Sequence, residues 1–156
     1  MARTAQEGRN RRAIALDPNL TFPRSGLAFA HILAYVNNWT SDPQATLALA
    51  HRTAEKALEL GPDDALAHRA LAVTLLWERR MEEACAVLAK AVELAPSDAE
   101  THVTRANMLV YMHEPDLAIE SMEKAMRLNP RYPDMWLYFL AHAYFMKGEY
   151  ERAEPL

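Results

Sequence analysis

Small and apolar residues recur along this chain at helical spacing, in paired blocks separated by short polar turns. Between Ala65 and Asp98, Leu71, Ala72 and Leu75 form one stripe at i, i+1 and i+4, and Ala84, Leu88 and Ala91 form a second. Each stripe is the inward face of an amphipathic helix. The next block, Ala99 to Tyr132, repeats the pattern with Ala106 and Leu109, then Ala118, Met122 and Ala125. Pro62, Pro96 and Pro130 stand 34 residues apart and close three near-copies of one phrase, AEKALELGP, LAKAVELAP and MEKAMRLNP. A proline lacks the amide that a further helical turn needs, so each copy ends a helix. A repeat of this length predicts a helix hairpin that buries its apolar face only by stacking on neighbours. The fold class is therefore all-α.

The pattern also predicts where helices start. Ser97 with Glu100, and Ser41 with Gln44, have capping-box spacing, and Pro43 suits a first helical turn. The interval from Pro18 to Pro62 is 44 residues, ten longer than the period. The surplus falls at AYVNNWTSDPQATLA, which predicts an extra helical turn and a projecting loop, with Trp39 either plugging the stack or contacting a partner. A fourth first helix follows in DMWLYFLAHAYFMKGEYERA, shifted by one residue, with Gly148 at its turn. One domain spanning 1–156 is expected: a partial repeat or capping helix over 1–20, an extended repeat over 21–64, repeats over 65–98 and 99–132, and a partial repeat over 133–156. Gln6 and Asn10 occupy positions where the first helix should carry small and apolar residues. GEYERAEPL stops within the first turns of a second helix. Both ends thus read as cut, and Leu140, Ala141 and Tyr144 are expected to lie exposed and to drive self-association.

Charge narrows the partners. With 24% charged residues and a net charge of −4, the chain offers no field for a nucleic-acid backbone. The N-terminus has no apolar stretch of leader length, no run of 18 apolar residues occurs, and the single cysteine, Cys85, suits a reducing compartment. These features predict a cytoplasmic protein without membrane insertion. Catalytic chemistry is sparse: no HExxH, no paired CxxC, and four scattered glycines that form no phosphate-binding loop. Glu82 and Glu83 beside Cys85 would raise its thiol pKa. Glu55, Glu59, Glu82, Glu83, Glu120 and Glu123 cluster on second helices as a solvated face. His68 and His102 are repeat-equivalent, which points to packing at a seam. No catalysis, no metal and no cofactor are expected.

The 34-residue interval and its proline-closed phrases resemble the tetratricopeptide repeat (TPR) family. That resemblance implies a right-handed α-solenoid, with His68 and His102 replacing an aromatic residue usual early in the first helix. It also implies a concave groove lined by first helices, which binds a protein or peptide segment. Carried over by register, the groove takes Phe22, Phe29 and Leu33; Arg69, Val73, Leu76 and Trp77; Val103, Asn107, Val110 and Tyr111; and Tyr138, His142, Phe145 and Met146. The set is apolar and aromatic, the character of an interaction surface. Arg69 and Asn107 lack the accompanying lysine with which chaperone-binding TPRs grip a C-terminal carboxylate. The run LDPNLTFPRSGLAFAHI, the turn NNWTSDP, and AMRLNPRYPDMWLYFLAHAYFMKGEYERA further resemble the C-terminal TPR segment of bacterial class III adenylate/guanylate cyclases. This implies, as an alternative to a free-standing scaffold, a regulatory or oligomerisation arm of a larger signalling enzyme.

Overall fold

The computed structural model describes residues 2–154, with side chains from residue 5 onward. Among these residues every regular element is a helix. They form two compact units, Met1–Leu94 and Ala95–Leu156.

The first unit holds α1 (Ala2–Leu16), the hairpin of α2 (Phe22–Val36) and α3 (Pro43–Leu60), and the hairpin of α4 (Ala65–Trp77) and α5 (Met81–Leu94). Small residues let these helices approach closely. Ala50, Ala54, Ala57, Ala70, Ala72, Ala84 and Ala91 are wholly inaccessible to solvent. Asn10, anomalous in sequence, is buried against α2 because Gly26 lies opposite: a Cβ there would stand 2.7 Å from the Asn10 Nδ2. Gln6 remains exposed and donates through Nε2 to the Asn10 Oδ1 at 3.0 Å. The long first hairpin spends its surplus on a longer α3, 18 residues against 14 in α5, and on the turn at 37–42. Trp39 in that turn is 56% exposed, which overturns the plug reading. The turn projects, and the backbone amide of Trp39 returns to the Ala34 carbonyl.

The second unit pairs α6 (Ala99–Tyr111) with α7 (Pro115–Leu128), and α8 (Met135–Lys147) with the short α9 (Tyr150–Ala153). Ala106, Ala118, Met122 and Ala125 meet Trp136, Leu140, Ala143 and Tyr144 in one core. This corrects the expectation that Leu140 and Tyr144 lie exposed, because α8 turns that face onto α6 and α7. Arg152 of α9 then caps the Tyr144 ring, its guanidinium 4.1 Å from the ring centroid.

Helix starts follow the same period with a correction of one residue. Asp98, not Ser97, caps α6 by accepting from the Thr101 amide, and Asp64, 34 residues earlier, accepts from the Leu66 and Ala67 amides of α4. Asp42, not Ser41, caps α3 ahead of Pro43. A carboxylate satisfies an orphan amide as a hydroxyl does, and also meets the positive end of the helix dipole. His68 and His102 share one role: Nε2 donates to the carbonyl of Pro62 at 2.8 Å and of Pro96 at 2.9 Å. The equivalent position after Pro130 holds Trp136, stacked on Tyr132 at 6.1 Å. Each hairpin turn places one residue at positive φ, namely Asn38, Arg79, His113 and Gly148. Only in the last is it glycine, the residue suited to φ 84°.

The cap assignment separates two neighbouring substitutions. Asp98→Ala is expected to lower the stability of the chain by about 1 kcal/mol, the usual loss of an N-cap, with Ser97→Ala close to neutral. Urea melts of the two variants measure it, and an effect at Ser97 larger than at Asp98 would restore the capping box.

Candidate partner-binding surfaces

First helices carry the residues in question, and burial divides them. In the first unit Phe29, Arg69, Val73 and Trp77 are all half-buried along α2 and α4. The Arg69 guanidinium sits 4.9 Å from the Phe29 ring centroid, and Tyr35 meets Trp77 edge-on at 5.8 Å. These contacts close much of that face on itself. Phe22 and Leu33 stay exposed on α2, whereas Leu76 of α4, also expected to face a partner, is buried.

In the second unit Asn107 is half-buried and Tyr111 exposed on α6. Val103 and Val110, also expected to face a partner, belong instead to the core against α7 and α8. The α6 stripe is wider than the register carried over: packing α8 against both α6 and α7 recruits positions that a single hairpin would leave open.

The helix α8 presents the open site. Tyr138, His142 and Phe145 lie one turn apart along one face, and with Ala141, Tyr150, Ala153 and Glu154 they line a cavity of 490 Å³. Tyr138 is 62% and Phe145 58% exposed, so large rings stand in water on a helix whose opposite face is fully packed. Tyr138 and His142 rings lie 6.3 Å apart, and Phe145 meets Tyr150 edge-on at 5.4 Å. Sequence reasoning missed Tyr150 and Glu154. The signal was present in the Gly148 turn, which reverses the chain and brings the start of α9 back over the end of α8.

Electrostatics leave this cavity mostly apolar. Lys147 reaches Glu149 at 2.6 Å and Asp116 at 2.9 Å, which raises the lysine pKa. Arg152 bonds Glu149 at 2.8 Å, and Lys147 first, then Arg152, holds that carboxylate below its usual range. Glu154 is the one carboxylate among the lining residues. Elsewhere, burial first and Glu82 second push the Cys85 thiol up, so it is a poor nucleophile. Burial lowers the His31 pKa, with Glu7 opposing and Arg11 reinforcing the shift. Among the described residues no group of His, Cys, Asp or Glu is disposed to hold a metal ion, and no helix is long and apolar enough to cross a membrane.

A family model described as tetratricopeptide repeat matches residues 46–99 and 103–156, more than half of the chain. Solved structures share the fold at low identity. A thermophilic TPR protein of Thermus thermophilus aligns with a TM-score of 0.71 and 19% identity, over 96% of this chain and 72% of that one. The structure of Pseudomonas aeruginosa pilF aligns with a TM-score of 0.67 and 24% identity, over 94% of this chain and 62% of that one. YrrB, described as a TPR protein with an unusual peptide-binding site, gives 0.62 and 20%, over 94% and 70%. Comparison with curated proteins finds no match.

Burial forecasts opposite outcomes for two aromatic residues. Trp77→Ala is expected to lower stability by roughly 1–3 kcal/mol, short of the 3–5 typical of a wholly buried ring. Tyr138→Ala should stay within about 0.5 kcal/mol, as surface substitutions do. Thermal melts of both decide it; a larger loss at Tyr138 would mean that its ring is part of the core.

Proposed function

The chain belongs to the tetratricopeptide-repeat family, and from that premise we propose that it is a non-catalytic scaffold whose first helices bind a peptide or helix of a partner protein. The observation that carries this reading is the aromatic cavity of α8 and α9, where Tyr138, His142 and Phe145 converge. Exposed rings on a rigid helix anchor a partner at small entropic cost, because the receptor is already ordered. Each unit contributes its own candidate contacts in this proposal: Phe29, Arg69, Val73 and Trp77 in the first, and Asn107 and Tyr111 in the second. An apolar or aromatic anchor residue suits the cavity, whose lining carries one carboxylate. The peptide-binding site named for YrrB is consistent with this use of the fold.

The alternative reading, a regulatory or oligomerisation arm of a nucleotide cyclase in the bacterial cytoplasm, rests on the phrases NNWTSDP and MRLNPRYPD. The structures named above bring no cyclase beside them. Self-association through repeat ends loses Leu140 and Tyr144 as its basis and has only exposed residues such as Met135 and Tyr138 to rest on.

Peptides selected by display on the wild-type chain provide the probe. A Tyr138→Ala, Phe145→Ala double variant is expected to bind them at least fivefold more weakly, about 1 kcal/mol, at an unchanged melting temperature. Glu120→Ala, an exposed residue of α7 outside the cavity lining, should leave affinity unaltered. Full-strength binding by the folded double variant would overturn the groove.

A further inference from the structure

The first unit contains a second cleft of different chemistry. It has a volume of 420 Å³ and is lined from α1, α2 and α3. Four of its lining residues, Arg11, Arg24, Arg52 and Lys56, are cationic; Ile14 and Leu27 are apolar; none is acidic. This concentration runs against the chain as a whole, which carries a net charge of −4. Acidic residues of the unit neutralise two of the four. Arg11 pairs with Glu7 at 2.8 Å and Lys56 with Glu59 at 2.6 Å.

The other two cations are unneutralised. Arg24 donates through Nη2 to the Pro18 carbonyl at 2.6 Å, which fixes its guanidinium in place, while its Nε is buried without a hydrogen-bond partner. The Arg52 side chain has no hydrogen-bond or ion-pair partner among the described residues. A guanidinium without an acidic partner takes an anionic acceptor through charge-assisted hydrogen bonds.

We infer that this cleft docks an acidic peptide segment, with an apolar side chain against Ile14 and Leu27 and flanking carboxylates on Arg24 and Arg52. Charge complementarity selects an anion, since two of the four lining cations have no acidic partner and no lining residue is a carboxylate. The apolar residues select a peptide over a nucleic acid, which offers phosphates but no aliphatic side chain. The volume admits one or two side chains and excludes a whole helix. Guanidinium groups are suited to bidentate capture of carboxylates. The site shares no residue with the aromatic surface of the first helices, so it stands or falls independently of that assignment.

The probe is a fluorescein-labelled peptide of about eight residues, a leucine pair flanked by glutamates, followed by anisotropy at low ionic strength with the full chain. Saturable binding is expected. Arg52→Glu should weaken it about tenfold or more, because hydrogen bonds to charged groups contribute on that scale. Replacing the glutamates by glutamine should do the same, and replacing the leucines by serine should also weaken binding. Lys56→Glu serves as a second variant, and thermal melts establish that each protein is folded. Absence of saturable binding, equal affinity for the glutamine peptide, or unchanged affinity in both folded variants would overturn the proposal. Displacement by inorganic phosphate or a single-stranded oligonucleotide more readily than by unlabelled peptide would overturn it too, and would mark a general anion site.

Discussion

Close approach of helices through alanine is the constraint on which the rest of this structure depends. Ala50, Ala84 and Ala118 are spaced at 34 residues, as are Ala57, Ala91 and Ala125, and all six are wholly inaccessible. A methyl group at each crossing lets two backbones come together with full van der Waals contact. Larger residues then fill the layer between: Ala54, Leu88 and Met122 occupy one equivalent position in successive hairpins, each within 3% of complete burial. The volume differs between hairpins at that position while the alanines do not vary, so the alanine contact sets the spacing and the intermediate residue adapts to it. Proline-closed helix ends, aspartate caps and the histidine contacts to Pro62 and Pro96 fix the register at which those alanines meet.

The available surfaces follow from this packing. Buried alanines occur on both helices of a hairpin, and bulky residues left over on α8 divide between its two faces. Its Trp136, Leu140 and Tyr144 are packed inward while Tyr138 and Phe145 remain in solvent. On α1 and α3 the same geometry brings basic side chains of different helices around Ile14 and Leu27. One apolar aromatic surface and one cationic cleft therefore arise from helices whose inward faces look alike.

Much of this was legible in the sequence, for a physical reason. Helical periodicity and the proline interval are local, repeated signals, and they identify the inward alanines and leucines correctly. Gly148 and Pro43 were equally readable, since each suits one backbone position. What failed depended on neighbours. Val103, Val110, Leu140 and Tyr144 fall on open surfaces by periodicity alone but are buried, because α8 packs on two helices rather than one. Ser97 lost its cap to Asp98 because two adjacent residues both had suitable side chains, and spacing alone cannot rank them. Trp39 was resolved by exposure only. The cavity of α8 and α9 was half legible: Tyr138, His142 and Phe145 share a helix face, but Tyr150 joins them only after the chain reverses at Gly148. The cationic cleft draws on three helices, and no single segment announces it.

Urea denaturation of Ala84→Leu and Ala118→Leu tests the alanine constraint most directly, since these are equivalent positions in different hairpins. Both are predicted to lose roughly 1–3 kcal/mol by overpacking a closed contact. Wild-type stability in either variant would contradict the account, by showing that the helices have room to separate and that something other than the alanine contact sets their spacing.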